Sequence, residues 1–465
     1  MTDSSTICAI STSPGMGPVA MIRLSGKKAI EIADMFFHFN KKNKKLTDQP
    51  ANTIHVGIFS DGSEIIDQVV VLLFRAPHSF TGEDIVEINC HGSVYIQQRI
   101  LQVLISGGAR MALPGEFSKR AFLNGKMDLS QAEAVADLIS SSTKASQQVA
   151  LHQMRGGFSS EISDLRKKLV EFISLIELEL DFSDEDIEFA DRKELTDLIN
   201  HIYKVLIRLK NSYQLGNVIK NGIPSIIIGE TNVGKSTLLN VLVNENRAMV
   251  SNIHGTTRDV IEDVVNIQGT AFRFFDTAGL RKTTDQIENM GIERTYETLK
   301  KATIVILIVD TTNSFPVIEK RIQKIREKLQ PGQHLIITAN KVDIGNEETI
   351  NKLKDFPLQT GEKRIFISAK NRLHTDDLVQ LMINTVDLEK ASGEDTIITN
   401  ARHYEAVSHA ADSIQRVKEG MIQKISGEFL SQDIRECINY LGEITGDITN
   451  DEILGSIFKH FCIGK

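Results

Sequence analysis

The run Gly229-Glu230-Thr231-Asn232-Val233-Gly234-Lys235-Ser236 constrains this chain more than any other feature. It fits the pattern GxxxxGK[ST] and stands between an Ile-rich stretch, 225–228, and a segment of helical spacing, 237–242. A strand, a glycine-rich turn and a helix in that order form a cradle for phosphate oxygens. The glycines let successive backbone N–H groups turn inward, and the helix N-terminus adds its positive dipole. In such a cradle Lys235 reaches the β- and γ-phosphates and the Ser236 hydroxyl ligates Mg²⁺. A chance glycine turn is the plain alternative, and the flanking strand and helix weigh against it. Apolar runs at 225–228, 272–275, 304–309, 335–338 and 365–367 alternate with helical segments. That alternation predicts a mainly parallel sheet with helices on both faces.

Further motifs follow in order. Asp276-Thr277-Ala278-Gly279 closes the run 272–275, which would put Asp276 at a strand's carboxyl edge beside the metal. Gly279 would offer its N–H to the γ-phosphate. Thr257, in Gly255-Thr256-Thr257-Arg258-Asp259, stands where a switch segment belongs and would add a second hydroxyl to Mg²⁺. Asn340-Lys341-Val342-Asp343 follows the run 335–338. The Asp343 carboxylate can accept from both the guanine N1–H and the exocyclic amine, a donor pair that adenine lacks. Ser368-Ala369-Lys370 would bring a backbone N–H to guanine O6. The positions expected around GTP are therefore Asn232, Val233, Gly234, Lys235, Ser236 and Thr237, with Ser251, Asn252, Ile253, His254, Gly255, Thr256 and Thr257. Asp276, Thr277, Ala278 and Gly279, then Asn340, Lys341, Asp343, Ser368, Ala369 and Lys370, complete the set.

After Gly279 stands Leu280, where Ras-like proteins carry a Gln that orients the attacking water. An apolar side chain cannot do this. Glu288 is the main carboxylate candidate in the polar segment 281–291, and from the residues alone a solvated helix face is the reading to prefer.

The chain's 465 residues exceed one ordinary core, so about three domains are expected. Residues 1–125 read as an α+β domain, with β-like runs at 69–74 and 85–88. Residues 126–216 read as long amphipathic helices. One carries Ile162, Leu165, Leu169, Phe172, Ile176 and Leu180; the other carries Leu195, Leu198, Ile202, Val205 and Leu209. The α/β nucleotide domain spans 217–385, and helical spacing returns over 386–465. The nucleotide domain thus reads as an insertion within a discontinuous helical domain.

Composition excludes other classes. No apolar stretch approaches the roughly 18 residues of a membrane span, and residues 1–5 lack a signal peptide's pattern. Cys8, Cys90, Cys437 and Cys462 are scattered, which suits free thiols in a reducing cytoplasm. The net charge of −8 requires any nucleic acid to meet a local basic patch. Lys41-Lys42-Asn43-Lys44-Lys45 is one candidate, or a solvated loop.

Beyond these motifs the sequence resembles the MnmE (TrmE) family of tRNA-modification GTPases over nearly its whole length. The resemblance rests on Ser13-Pro14-Gly15, Arg23-Leu24-Ser25-Gly26, Ser79-Phe80-Thr81-Gly82-Glu83-Asp84 and Pro114-Gly115-Glu116-Phe117. Two blocks are the most specific: 120–126, Arg-Ala-Phe-Leu-Asn-Gly-Lys, and the terminal Phe461-Cys462-Ile463-Gly464-Lys465. It implies a folate-binding, dimerising N-terminal domain and hence a homodimer. It also implies joint action with an FAD-dependent MnmG-type partner, adding an aminomethyl or carboxymethylaminomethyl group to C5 of the wobble uridine of certain tRNAs. By the same resemblance Arg23, Glu87, Lys126 and Lys465 would hold 5-formyl-tetrahydrofolate or a related folate; from the residues alone they are ordinary surface charges. The family uses K⁺ in place of an arginine finger, and the matching positions are Asn232, Ser251, Ile253 and Thr256. Glu288 falls on its catalytic glutamate position. Ser251 stands where Thr is commoner, and Thr231 where Pro is commoner.

Cys462 admits three readings. It is the fourth residue from the end of the given sequence, but Gly464 and Lys465 suit a prenylation signal badly. It could pack beside Phe458 and Phe461. The resemblance gives it a chemical role near the folate. The runner-up for the whole chain is a ribosome-assembly GTPase of the Era or EngA type, an RNA-binding switch. That class carries a basic GxxG module after the nucleotide domain, where this sequence shows apolar helical spacing.

Overall fold

The computed structural model describes residues 5–40, 44–181, 192–244, 263–275, 297–385, 396–423, 425–449, 451–459 and 461–464. Two compact units emerge. One comprises Met1–Ile139, His152–Ile202 and His409–Lys465; the other comprises Ser140–Leu151 and Tyr203–Ser408.

The first unit opens with β1 (Ile7–Ile10), β2 (Val19–Ser25), α1 (Ala29–Phe36), β3 (Phe37–Phe39), β4 (Thr53–Asp61), β5 (Glu64–Phe74), β6 (Ile85–His91), α2 (Val94–Ser106) and β7 (Arg110–Met111). The strands form one sheet in the order β3-β4-β5-β6-β2-β1-β7, antiparallel except for β1 with β7. Both runs expected to be strands lie within β5 and β6. Val69, Val71 and Leu73 of β5 face the core, and their neighbours face the other side, as a period of two dictates. Helix α1 buries Ala29, Ile30, Ile32 and Ala33, and α2 buries Ile100, Leu101, Val103 and Leu104, in the same core.

Helices α3 (Glu116–Leu123), α4 (Leu129–Ser140), α5 (Lys144–Met154), α6 (Gly157–Asp181) and α7 (Arg192–Asn221) follow. In α6 Ile162, Leu165, Leu169, Phe172 and Ile176 of the expected stripe are buried, and the Leu180 side chain lies outside the described residues. In α7 the buried stripe is Leu195, Ile199, Ile202, Leu206 and Leu209, with Leu198 and Val205 half-buried beside it. Both stripes obey the three-and-four spacing, and only packing decides which of two adjacent apolar residues turns inward.

An ion network fastens α3 to the sheet. Arg120 donates to Glu83 Oε2 at 3.0 Å, Glu116 Oε1 at 3.1 Å and the Ser5 carbonyl at 2.8 Å. Arg110 donates to Glu116 Oε1 at 2.6 Å, and Ser25 Oγ donates to Glu83 Oε2 at 2.7 Å. Burial works against the Glu116 charge, but Arg110, the Leu113 amide and Arg120 outweigh it and hold the carboxyl below its ordinary range. Arg120→Ala leaves two carboxylates short of a donor and is expected to cost about 3–5 kcal/mol. A depressed carboxyl stabilises the fold above its unfolded pKa and loses that contribution as pH falls through the folded value. Urea unfolding from pH 7 to pH 3 should show the wild type losing stability on the acid side and the variant losing less. Equal stability of the two proteins at pH 7 would refute the assignment.

The second unit holds β8 (Ile223–Ile228), α8 (Lys235–Asn244), β9 (Asp263–Ile267), β10 (Thr270–Phe274), β11 (Ile304–Asp310), α9 (Phe315–Arg326), β12 (His334–Asn340), α10 (Glu347–Asp355), β13 (Glu362–Phe366) and α11 (Thr375–Ile383). The sheet order is β13-β12-β11-β8-β10-β9, parallel except at the β9–β10 hairpin. On one face Leu238 and Leu242 of α8 and Leu378 and Met382 of α11 pack on Ile227, Ile306 and Ile336. On the other, Ile318 and Ile322 of α9 and Leu353 of α10 pack on Ile226, Val305 and Ile337. A strand covered on both sides reads as an unbroken apolar run, and all of β11 is buried. Strand β8 has β10 on one side and β11 on the other, so the crevice at its carboxyl end is a topological switch point.

After this sheet come α12 (Ala401–Ile422), α13 (Gly427–Thr445) and α14 (Asp451–Phe458). Helix α13 packs along α6, far earlier in the chain, burying Leu430, Ile434, Cys437 and Leu441. Arg166 pairs with Asp447 at 3.1 Å.

Candidate functional site

The glycine-rich turn joins β8 to α8 at that switch point. A Cβ at Gly229 would lie 2.6 Å from the Ile308 carbonyl, and one at Gly234 would lie 2.3 Å from Asn340 Nδ2. Gly234 also has φ +105 and Asn232 has φ 62, both in the left-handed region. The turn therefore needs glycine for space as well as for curvature. Lys235 folds back over the turn, its Nζ donating to the carbonyls of Gly229 at 2.7 Å and Glu230 at 2.6 Å. Burial pushes its pKa down, and the Glu230 carboxylate partly offsets this. Ser236 and Thr237 stand in the first turn of α8.

Asn340 ties this turn to the loop that follows β13. Its Nδ2 donates to the Val233 carbonyl at 2.7 Å, and its Oδ1 accepts from the Ala369 amide at 2.9 Å. In this arrangement the Ala369 amide serves the loop rather than a base. Lys341 has φ 65 and pairs with Asp310 Oδ2 at 2.6 Å. Burial acts against the Asp310 charge, but the bonds from Lys341 and Thr312 prevail and keep its carboxyl low. Thr311 Oγ1 donates to the carbonyls of Asn340 and Lys341, each at 3.0 Å. Asp343 is exposed at the rim. Its carboxyl is held low, first by the Ser368 side chain and then by Asn371, whose Nδ2 reaches Oδ2 at 2.9 Å, with the Lys370 charge nearby. Asp310, Thr311 and Asn371 escaped the sequence reading. Its only clue was Asp310, a carboxylate closing an all-apolar strand.

Ser251, Asn252, Ile253, His254, Gly255, Thr256, Thr257, Asp276, Thr277, Ala278, Gly279, Glu288 and Lys465 lie outside the described residues.

A second cluster sits in the first unit. Arg23 and Glu87 are cross-strand partners on β2 and β6, with Arg23 Nε 2.8 Å from Glu87 Oε1. The Arg23 guanidinium lies 5.6 Å from the Phe80 ring centroid and 5.8 Å from that of Phe117. Lys126 Nζ donates to the Pro77 carbonyl at 3.0 Å. The C-terminal segment returns to this unit. Gly115 N–H donates to the Cys462 carbonyl at 3.3 Å, and Ser11 Oγ donates to the Gly464 carbonyl at 3.0 Å. Gly464 is buried while Cys462 is exposed. Packing there falls to Phe458 and Phe461, whose centroids are 5.1 Å apart, and not to the thiol. Cys8, Cys90 and Cys437 are buried, and burial raises the pKa of Cys8 and Cys90 to about 11. Among the described residues no cluster of His, Cys, Asp or Glu is placed to hold a metal ion, and no helix is long and apolar enough to cross a membrane.

A parallel sheet whose glycine turn, lysine and Asn-Lys-x-Asp loop meet at one edge defines a P-loop protein with a guanine-type base site. Residues 6–126 match the family model described as the GTP-binding protein TrmE N-terminus, and residues 129–462 match that of the MnmE helical domain. The tRNA modification GTPase MnmE of Bacteroides thetaiotaomicron is 55% identical over 464 residues, covering 99% of both chains. The protein of that name from Bacteroides fragilis is 56% identical over 99% of both, and that from Parabacteroides distasonis is 54% identical over 99% of this chain and 100% of its own. The chain belongs to the MnmE (TrmE) family. The G domain of the T. maritima FeoB iron transporter overlaps 35% of this chain at 23% identity and a TM-score of 0.25, too loose a superposition to carry an argument.

Proposed function

We propose that this chain hydrolyses GTP and uses the cycle to modify the wobble uridine of certain tRNAs at C5, together with an FAD-dependent MnmG-type partner. The observation that carries the proposal is the convergence of Lys235, Asn340 and Asp343 in a chain so similar to tRNA modification GTPases along its whole length. Lys235 and the turn's amides hold the β- and γ-phosphates, and Asp343 selects guanine. Ser236, at the start of α8 and directly after Lys235, is suitably placed to hold Mg²⁺ with Thr257. Bound there, Mg²⁺ neutralises charge on the phosphate oxygens. Asn232, exposed on the turn, would hold K⁺ with Ser251, Ile253 and Thr256, which places a positive charge where other GTPases use an arginine. Glu288 orients the attacking water.

In the first unit, the Phe80 and Phe117 rings beside Arg23 offer an apolar surface for a flat ring, and the Arg23–Glu87 pair offers polar groups beside it. Arg23, Glu87, Lys126 and Lys465 would hold the folate there, and the exposed Cys462 thiol would act on the one-carbon chemistry. The protein works as a cytoplasmic homodimer, joined by its partner into a heterotetramer. The described C-terminal residues are helical throughout most of 401–458, which leaves the ribosome-assembly alternative without its RNA-binding module.

The test is tRNA from a deletion strain. It should lack the wobble modification and regain it with the wild-type gene. Glu288→Ala should bind GTP normally, hydrolyse it at least about 100-fold more slowly and restore little modification. Fully modified tRNA in the deletion strain would reject the reading.

A further inference from the structure

A turn outside every recognised motif, Asn371-Arg372-Leu373-His374, follows the Ser368-Ala369-Lys370 loop. Arg372 at φ 55 and His374 at φ 57 both occupy the left-handed region although each carries a Cβ. Such residues persist where surrounding contacts over-determine them, often at ligand clamps. Here the contacts are visible. Ser368 and Leu373 exchange backbone hydrogen bonds at 3.1 and 3.0 Å, and His374 Nδ1 bonds Asp377 Oδ2 at 2.8 Å. Asn371 N–H reaches Ser368 Oγ at 3.3 Å. The turn thereby brings the Asn371 amide back to Asp343, 2.9 Å from Oδ2.

Asp343 is exposed, and the final torsion of an Asp side chain is soft and broad. Accepting two parallel N–H bonds requires the carboxylate plane to match the base, whereas a single N–H tolerates rotation. We propose that Asn371 is a positioning residue that fixes the Asp343 carboxylate plane before the nucleotide arrives, and so sets the preference for guanine over bases lacking the 2-amino group. This rests on Asp343 being the base-recognition residue.

Calorimetric titration of the full-length protein with GDP and inosine diphosphate tests the inference. In Asn371→Ala the GDP Kd should rise roughly three- to tenfold, the inosine diphosphate Kd should rise less than about twofold, and the melting temperature should not move. In GTP turnover the loss should fall on KM. Asn371→Asp sets a like charge beside Asp343 and should weaken GDP at least as much. The inference is overturned if Asn371→Ala binds GDP as the wild type does, or if both nucleotides weaken by the same factor. Asp343→Asn, measured alongside, separates the two ideas. GDP binding lost in Asp343→Asn but intact in Asn371→Ala refutes only the positioning role. GDP binding intact in Asp343→Asn refutes the base site itself, and the positioning role with it.

Discussion

Asp343→Asn is expected to bind GTP at least about 100-fold more weakly than the wild type and to gain affinity for xanthosine triphosphate. An exposed Asp carboxyl is charged at neutral pH, and the Ser368 side chain, Asn371 and the Lys370 charge hold that of Asp343 lower still. A charged carboxylate only accepts, so it matches the two donors on one edge of guanine. The Asn amide sets a donor against one of them and leaves that group unpaired. Xanthine carries a carbonyl at C2, which restores the match. Sites built to pair a polar group reject the unmatched ligand by up to about 10⁴–10⁵. Asp343 lies at an exposed rim where water competes, so roughly 10²–10³ is the expected range. Competition binding with both triphosphates measures this, and unchanged GTP affinity would remove Asp343 from the base site.

Replacing K⁺ with Na⁺ should lower GTP hydrolysis by about 10³-fold or more while nucleotide affinity changes little. Leu280 cannot orient water, so the charge and order that speed hydrolysis must come from elsewhere. Among nearby arginines, Arg321 is already paired with Glu230, the residue two places before Asn232. An arginine finger is worth about 10³–10⁵ in rate, and a cation replacing it should matter on that scale. The proposed donors, an amide oxygen with backbone carbonyls and hydroxyls, suit a large, weakly hydrated ion better than a small one. Steady-state rates in KCl and NaCl at equal ionic strength decide the point, since equal strength holds screening constant. Equal rates in the two salts would defeat the K⁺ assignment.

The strand, glycine turn and helix that carry Lys235 were legible in the primary structure because their chemistry is local. Glycines, lysine and serine at fixed spacing between a strand and a helix have few other uses. The strands of the second unit were legible for a related reason, since burial on both faces writes itself as an unbroken apolar run. The proposed base site could be read from the sequence only in part. Asp343 belongs to a contiguous motif, but Asn371 approaches it only because a strained turn folds back, and no spacing rule announces such a turn.

The contacts that link distant segments belong to the tertiary structure. Asn340 stands in the expected motif, yet only the sheet's closure brings its two ends to Val233 and Ala369. Asp310 and Lys341 lie on adjacent strand ends, and register pairs them. Arg23 and Glu87 are 64 residues apart and meet because β2 and β6 are neighbours. Spacing put Leu198 and Val205 on the α7 stripe, and packing buried their apolar neighbours Ile199 and Leu206 instead. Of the readings open to Cys462, packing is the one the structure decides against: the tail is held by bonds from Gly115 and Ser11 to its backbone, and the thiol is exposed. Contiguous residues carry periodicity and backbone chemistry, so those could be read directly. Pairings between remote residues depend on strand register and chain closure, which no local pattern encodes.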